Sequence, residues 1–214
     1  GATADDSDCG SAESFCVGLV TDTGKVDDKS FNQSAHEGAM AAAEEAGGFY
    51  KYVETKDAKD YAANMKQFTD KKYDVVVTVG FLMTEATATA AAGSPDTKFI
   101  GVDQFFDPAA VTATNVTGLL FPEDQAGYGA GYLAGLMTKS NKLGQVLGLE
   151  IPPVQKFAKG FEAGAKAANP AVEVTTVYHP AGDNGFNDPV WGAQQAQAQM
   201  SQGADIIFGA GGNT

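Results

Sequence analysis

The sequence predicts an α/β protein in which parallel sheets are covered by helices on both faces. Two observations predict this class. Short runs of Val and Ile alternate with Ala-rich helical stretches, and the apolar runs lead into Gly or Asp. Continuous apolar strands indicate burial on both faces, which is typical of parallel sheets. The rhythm restarts once, so we expect two hinged lobes with the pivot near 121–135.

The first block contains five predicted strands and three predicted helices. The apolar residues Tyr61, Met65 and Phe68 share one face of the second helix, as helical periodicity requires. We predict strands at 15–21, 50–54, 75–79, 98–102 and 116–121, and helices at 31–46, 57–72 and 82–92. With a disordered acidic leader over 1–13, this block forms a lobe spanning 14–121.

The second block, 122–214, repeats the pattern with fewer strands. We predict helices at 123–138, 154–169 and 188–202, and strands at 144–149, 172–178 and 205–209. The last strand leads into a glycine turn, after which a β/α pattern calls for another helix. We therefore expect an incomplete second lobe and a piece of a longer protein, with a complete chain as the alternative.

Composition and charge exclude several classes of partner. The 214 residues include 14 Lys, no Arg and 27 Asp plus Glu, for a net charge of −13. Nucleic acids and anionic membrane surfaces need clustered basic residues, so neither is expected as a partner. Without Arg, a ligand carrying a carboxylate or phosphate is disfavoured. The sequence has neither a run of 18 apolar residues nor a signal-peptide pattern at its start.

The cysteines Cys9 and Cys16 bracket a short segment near the start of the first strand. They form either a disulfide, which indicates an oxidising compartment, or two separate thiols. Since the chain has only these two Cys and two His, a structural zinc site is not expected.

Ligands of open parallel sheets bind beyond the carboxyl ends of the strands. The residues at those ends are rich in carboxylates, amides, glycines and Phe, and poor in nucleophiles, bases and cations. This composition indicates binding, not catalysis. The set comprises Asp22, Gly80, Phe81 and Asp103 in the first block, and Glu150, Pro152, 182–188 and 209–212 in the second.

Two Phe-Asn pairs stand out among these residues. Asp28 or Ser30 is expected to cap the helix that begins at Phe31, which is followed by Asn32. Phe186 offers the same pairing in the second block. One Phe from each lobe would sandwich a flat ring whose edge an amide could hydrogen-bond. The alternative is that either Phe belongs only to the core.

The segment from Val20, Val-Thr-Asp-Thr-Gly-x-x-Asp-Asp-Lys-Ser-Phe-Asn-Gln, resembles the signature of the basic membrane protein family. These are PnrA-like nucleoside-binding lipoproteins, the solute receptors of ABC importers. Segments at 121–135, 143–148, 156–164 and 203–208 agree with that family in the same order. The resemblance covers about 15–214. It implies a type I periplasmic-binding-protein fold and supports the expectation of a longer chain.

The resemblance also implies a ligand and its contacts. A purine nucleoside (adenosine, guanosine or inosine) would bind between the lobes with its base stacked on Phe31 and Phe186. Asp22 and Asn32 would hydrogen-bond the edge of the base. The further contacts expected at the strand ends, near the ribose or the base, are Phe81, Asp103, Gly211 and Gly212.

For the whole protein, the resemblance implies a monomer, without cofactor, metal or catalytic residues, held outside the membrane. Ligand-driven hinge closure would present the loaded form to an ABC permease. Cys9 would be the lipid-bearing residue unless it pairs with Cys16.

Two alternatives to nucleoside transport are open. A sugar receptor or a signalling lipoprotein could use the same fold and similar aromatic and Asp/Asn residues. A nucleoside hydrolase is the enzyme alternative, because its calcium motif shares several positions with this segment. Val20 and Thr23 occupy positions where that motif needs Asp and Pro, and the acidic pair Asp27–Asp28 is one residue out of register.

Overall fold

The computed structural model describes residues 6–180, 182 and 184–214. These residues form two compact units, one ending at Leu120 and the other beginning at Phe121. Each unit has its own parallel sheet flanked by helices, which confirms the predicted fold class.

The first unit is built on a five-stranded sheet with the order β2-β1-β3-β4-β5, in which all neighbouring strands run parallel. Neighbouring residues Leu19 and Val20 pack into separate hydrophobic clusters, because side chains alternate across a strand. The elements are β1 (Cys16–Thr23), α1 (Phe31–Glu45), β2 (Phe49–Thr55), α2 (Tyr61–Thr69), β3 (Val75–Val79), α3 (Thr84–Gly93), β4 (Lys98–Val102) and β5 (Val116–Leu119).

The predicted helix over 57–72 is wrong at both ends. The Asp57 side chain accepts a hydrogen bond from the Lys59 N–H and closes a separate 3₁₀ turn at Ala58–Asp60. α2 then ends at Thr69, and Lys72 has a φ of 57°, a left-handed conformation that stops the helix. A 3₁₀ turn at Phe81–Met83 likewise precedes α3.

The second unit has a three-stranded parallel sheet with the order β7-β6-β8. Its elements are α4 (Glu123–Met137), β6 (Lys142–Leu149), α5 (Pro152–Ala168), β7 (Glu173–His179), α6 (Pro189–Ser201) and β8 (Ile206–Ala210). In the part of the chain that the structure describes, no helix combines the length and apolar character needed to cross a membrane.

Helices α4 and α5 of the second unit pack backbone against backbone. Three glycines of α4, one per turn, face carbonyl oxygens of α5. A Cβ built at Gly131 would lie 1.9 Å from the Phe161 oxygen, so no side chain fits there. Gly127 and Gly135 face the oxygens of Phe157 and Ala165 in the same way, at 2.3 and 2.5 Å.

The described part of the acidic leader is attached to the first unit. The sulfurs of Cys9 and Cys16 are bonded, with their Cα atoms 5.6 Å apart. Asp6 forms ion pairs with Lys51, at 2.7 Å, and with Lys71. Residues 6–13 of the predicted leader form turns and bends, and residues 1–5 lie outside the described residues.

We predict that Gly131→Ala lowers the free energy of unfolding of the second unit by about 2–3 kcal/mol, because the added methyl group separates α4 from α5. Gly129→Ala is the matched control, since its Cβ meets no neighbour within 4 Å. Gly129→Ala should raise the free energy of unfolding by about 0.5–1 kcal/mol, because Ala has the higher helix propensity. Trp191 is the single Trp of the chain and lies in α6, so its fluorescence during urea unfolding reports on this unit. Equal effects of the two variants would contradict the packing argument.

Candidate functional site

The candidate residues of the first unit lie at the carboxyl edge of its sheet. Asp22 is the second-to-last residue of β1, Gly80 follows β3, and Asp103 follows β4. Because β1, β3 and β4 are adjacent and parallel, their carboxyl ends share one edge. β1 extends two residues beyond its predicted end, and its pairing with β2 becomes irregular between Val20 and Thr23. Asp22 therefore sits within this irregularity, where side chains are re-aimed.

The carboxyl group of Asp22 is partly buried and interacts with the side chain of Asn32. Burial raises its pKa to about 7, and the nearby charge of Asp28 acts in the same direction. The hydrogen bond with Asn32 acts in the opposite direction, because it stabilises the ionised form. Asp22 is thus a carboxyl group that changes its protonation state near neutral pH.

Asn32 is held in place by the start of α1. Its backbone N–H donates to Asp28 Oδ2 at 2.9 Å, while Asp28 Oδ1 accepts from the N–H groups of Ser30 and Gln33. Asp28 is therefore the residue that caps the helix, and Ser30 makes no such side-chain bond. The Asn32 side chain is only 6% exposed, and its Oδ1 has no hydrogen-bond partner. A buried acceptor without a partner is unfavourable unless something else supplies a donor.

Gly80 allows the end of β3 to approach Asp22. Its φ of 111° disfavours any other residue, and a Cβ there would lie 2.5 Å from Asp22 Oδ2. Its N–H donates to the Val102 carbonyl at 2.9 Å, which ties the end of β3 to the end of β4. Phe81, the next residue, is partly buried, and its carbonyl accepts a hydrogen bond from Thr84 Oγ1 at 2.6 Å.

Gln104 supports this edge and is not among the residues that the sequence predicts. It is fully buried, and its Nε2 donates to the carbonyls of Thr78 and Gly80 at 3.2 and 3.1 Å. The sequence offers only weak signal for this role, since a Gln that follows a strand end is ordinarily exposed.

Phe31 begins α1, beside Asn32. It is partly buried and packs against the apolar cluster of the first unit that contains Leu19 and Val77. The same kind of environment surrounds Phe186 in the second unit, which packs against Leu147, Val154 and Ala158. Both rings are therefore anchored in a core while remaining partly exposed.

At the carboxyl edge of the second sheet, Phe186 comes together with the glycine turn that follows β8. Its carbonyl accepts from the Asn213 N–H at 3.0 Å, and a Cβ at Gly212 would lie 2.8 Å from the same oxygen. The ring covers Gly148, where a Cβ would lie 2.3 Å from Phe186 Cε1. Gly211 in turn packs closely on the backbone of Gly148.

Of the other residues at this edge, Glu150 is exposed and accepts a hydrogen bond from Gln155, and Pro152 is the first residue of α5. Asp183 of the predicted segment 182–188 lies outside the described residues. Across the described ranges 6–180, 182 and 184–214, no group of three His, Cys, Asp or Glu side chains could hold a metal ion.

Comparison with known proteins identifies relatives of the chain. The Bmp family model, described as "ABC transporter substrate-binding protein PnrA-like", matches residues 15–214. The CD4+ T-cell-stimulating antigen of Listeria innocua is 34% identical over 222 residues, which cover 100% of this chain and 60% of that protein. The ABC transporter nucleoside-binding protein BmpA of Lactococcus lactis is 33% identical, with 89% of this chain and 53% of that protein covered.

A solved structure agrees with these relatives. A solute-binding protein of an ABC transporter system from Aeropyrum pernix superposes with a TM-score of 0.80 at 28% identity, covering 94% of this chain and 56% of that one. The chain thus spans between 53% and 60% of the lengths of these three proteins. From the match over 15–214, the chain belongs to the Bmp family, the PnrA-like substrate-binding proteins of ABC transporters.

Proposed function

We propose that the protein is the extracytoplasmic solute-binding component of an ABC importer and that its ligand is a purine nucleoside. The observation that carries the proposal is the pair Asp22 and Asn32 at the edge of the first sheet, where Asn32 directly follows Phe31 at the start of α1. Membership of a family of solute-binding proteins, which are not enzymes, supports the binding role. The printed name of the Lactococcus lactis relative describes a nucleoside-binding protein.

The hydrogen-bonding groups suit the edge of a purine. An ionised Asp22 offers acceptor oxygens, and Asn32 Oδ1 is an acceptor without a partner. Ring N–H and exocyclic amino groups of purines are donors that would satisfy both. A buried acceptor without a partner costs the ligand-free protein free energy. A ligand that donates a hydrogen bond to this acceptor removes that cost, and this favours both binding and selectivity.

The aromatic groups suit the face of the base. Phe31 and Phe186 each have an anchored, partly exposed ring, and we propose that they stack on the two faces of the purine. Closure of the two units on the ligand would bring the rings to the base, and a permease would recognise the closed form. The remaining proposed contacts to the base or ribose are Phe81, Asp103, Gly211 and Gly212.

The disulfide is consistent with a location outside the cytoplasm, where such bonds persist. With its sulfur bonded to Cys16, Cys9 is not available to carry a lipid. Lipid attachment at Cys9 and the disulfide are therefore mutually exclusive states of the same residue.

A thermal-shift screen of the full-length protein tests the proposed ligand. Adenosine, guanosine and inosine should each raise the melting temperature, because a ligand at a thousand times its Kd adds about 4 kcal/mol of stability. Ribose, free bases and pyrimidine nucleosides serve as comparisons. A shift with ribose as large as with nucleosides would favour a sugar receptor. Release of ribose from inosine, with bound calcium, would favour a hydrolase.

We predict that Phe31→Ala weakens nucleoside binding by about 1–3 kcal/mol, the range for loss of an aromatic stacking partner of a base. Isothermal titration calorimetry of the full-length protein measures this. Phe105→Ala is the control, because Phe105 is 59% exposed in the same unit and belongs to neither of its core clusters. An unchanged affinity in the Phe31 variant would remove this ring from the site.

Asp22→Asn should stabilise the folded protein at pH 8 but not at pH 4. With its pKa raised to about 7, folded Asp22 keeps a proton that the unfolded chain releases above about pH 4. The free energy of unfolding of the native protein therefore falls between pH 4 and 7, by about 3 kcal/mol, and the Asn variant lacks this loss. Urea unfolding at several pH values measures the difference. Asp27→Asn, at an exposed position nearby, is the control and should show the same dependence of unfolding free energy on pH as the native protein. The same dependence in Asp22→Asn would contradict this account.

A further inference from the structure

His179, the last residue of β7, has both ring nitrogens next to acceptors. Nδ1 lies 2.6 Å from the Pro180 carbonyl oxygen, and Nε2 lies 3.4 Å from Asp188 Oδ2. A neutral imidazole carries one N–H, so it can satisfy only one of them. The ring is 6% exposed and packs edge-on against Trp191, which limits access of water. Only the doubly protonated ring satisfies both contacts.

Asp188 joins three parts of the second unit. Its Oδ1 accepts from the Trp191 N–H at 3.0 Å and caps α6. Its Oδ2 accepts from Asn184 Nδ2 at 2.9 Å, in addition to the contact with His179. Its own N–H donates to Thr214 Oγ1 at 3.0 Å. One residue therefore holds the helix start, the loop 184–187 and the turn that follows β8.

Phe186 lies inside the loop that Asp188 holds. Asn184 anchors the loop on one side of Phe186 and Asp188 on the other, while the Phe186 carbonyl is bound by Asn213. The ring itself is placed by packing on Gly148. Loss of the Asp188 anchor would leave the bond from Asn213 and the packing on Gly148 as the contacts that hold Phe186.

We propose that His179, with both nitrogens protonated, and Asp188 are positioning residues that hold Phe186 in the conformation that binds the ligand. This inference rests on the function proposed above for Phe186. It adds a regulatory consequence, because loss of a proton from His179 removes one of the two anchors of Asp188 Oδ2. Ligand binding should therefore weaken as His179 becomes neutral.

Asp188 supplies a negative charge next to the His179 ring. The N–H of Trp191, followed by His179 and Asn184, lowers the pKa of Asp188, so Asp188 stays ionised throughout the range in which histidine changes charge. Glu150, which follows β6, is the other charged group at this edge among the described residues, and it is exposed. The loop 184–187 and the turn 211–214 contribute no titratable side chain.

The protonation state can be measured without any ligand. The ¹⁵N chemical shifts of the His179 ring in the full-length protein, assigned by their absence from the spectrum of a His179→Gln variant, distinguish one N–H from two. At pH 6 we expect two protonated nitrogens and protection of the 184–188 amides from hydrogen exchange, with both lost together as pH rises. A neutral ring at pH 6 would overturn the proposal. So would hydrogen-exchange protection of the 184–188 amides that does not change when the ring loses its proton.

The positioning role is tested by Asp188→Asn. This variant retains an oxygen to cap α6 but presents an amino group to the donors of His179 and Asn184. At pH 6 we expect about tenfold weaker nucleoside binding, the factor that corresponds to loss of a hydrogen bond between charged groups. The ratio of native to variant affinity should fall as the pH rises to 8.5 and stay above one, because the native protein keeps the bond from Asn184 to Asp188 and the variant does not. The titration of Asp22 cancels in this ratio, because Asp22 is present in both proteins.

His36→Gln is the matched control for affinity. His36 bonds Tyr50 in the first unit, so its replacement should leave the affinity ratio at one at every pH. A ratio for Asp188→Asn that does not change with pH would overturn the inference while nucleoside binding stands. If the native protein binds no nucleoside at any pH, the proposed function fails, and the ring nitrogen shifts still decide the state of His179.

Discussion

Parallel strand pairing is the constraint on which the rest of this molecule depends. All parallel strands begin at the same edge of the sheet, so each connection must carry the chain back across a face of the sheet. The carboxyl ends of the strands therefore all lie at the opposite edge. In the first unit this gathers Asp22, Gly80 and Asp103 from three strands. In the second unit it gathers His179 and the glycine turn after β8. Residues far apart in sequence are thus placed together by the sheet alone.

Each sheet departs from regular pairing at one point near these residues. The β1–β2 ladder becomes irregular between Val20 and Thr23, around Asp22. The β6–β7 ladder does so between Leu147 and Leu149, at the Gly148 that Phe186 covers. An irregularity interrupts the alternation of side chains, so a group can point along the edge instead of into the core. In the first unit the irregularity lies at Asp22 itself, and in the second it lies at Gly148, which Phe186 covers from a separate loop.

Local sequence predicts most of the strands and helices, but it does not predict every element boundary or every residue that supports the candidate site. Strands β3 and β4 have the predicted bounds, because continuous apolar runs between polar residues leave no other choice. The split before α2 was missed, since the hydrogen bond of Asp57 competes with the helix and leaves its hydrophobic pattern intact. The sequence does not predict the role of Gln104, and it predicts Asp188 only as a member of the segment 182–188. Both residues form hydrogen bonds with partners 24 to 26 positions away, and such bonds leave no local sequence pattern.

The two groups of candidate residues differ in how well their polar atoms are satisfied. Around Phe186, the side chains of Asn184, Asp188 and Thr214 all have partners. In the first unit, Asn32 Oδ1 has none, and burial opposes the ionised form of Asp22. Unfavourable polar groups of this kind persist where a ligand satisfies them. Under the proposed function, the first unit therefore supplies the hydrogen bonds that discriminate between ligands, and the second supplies a fixed apolar surface.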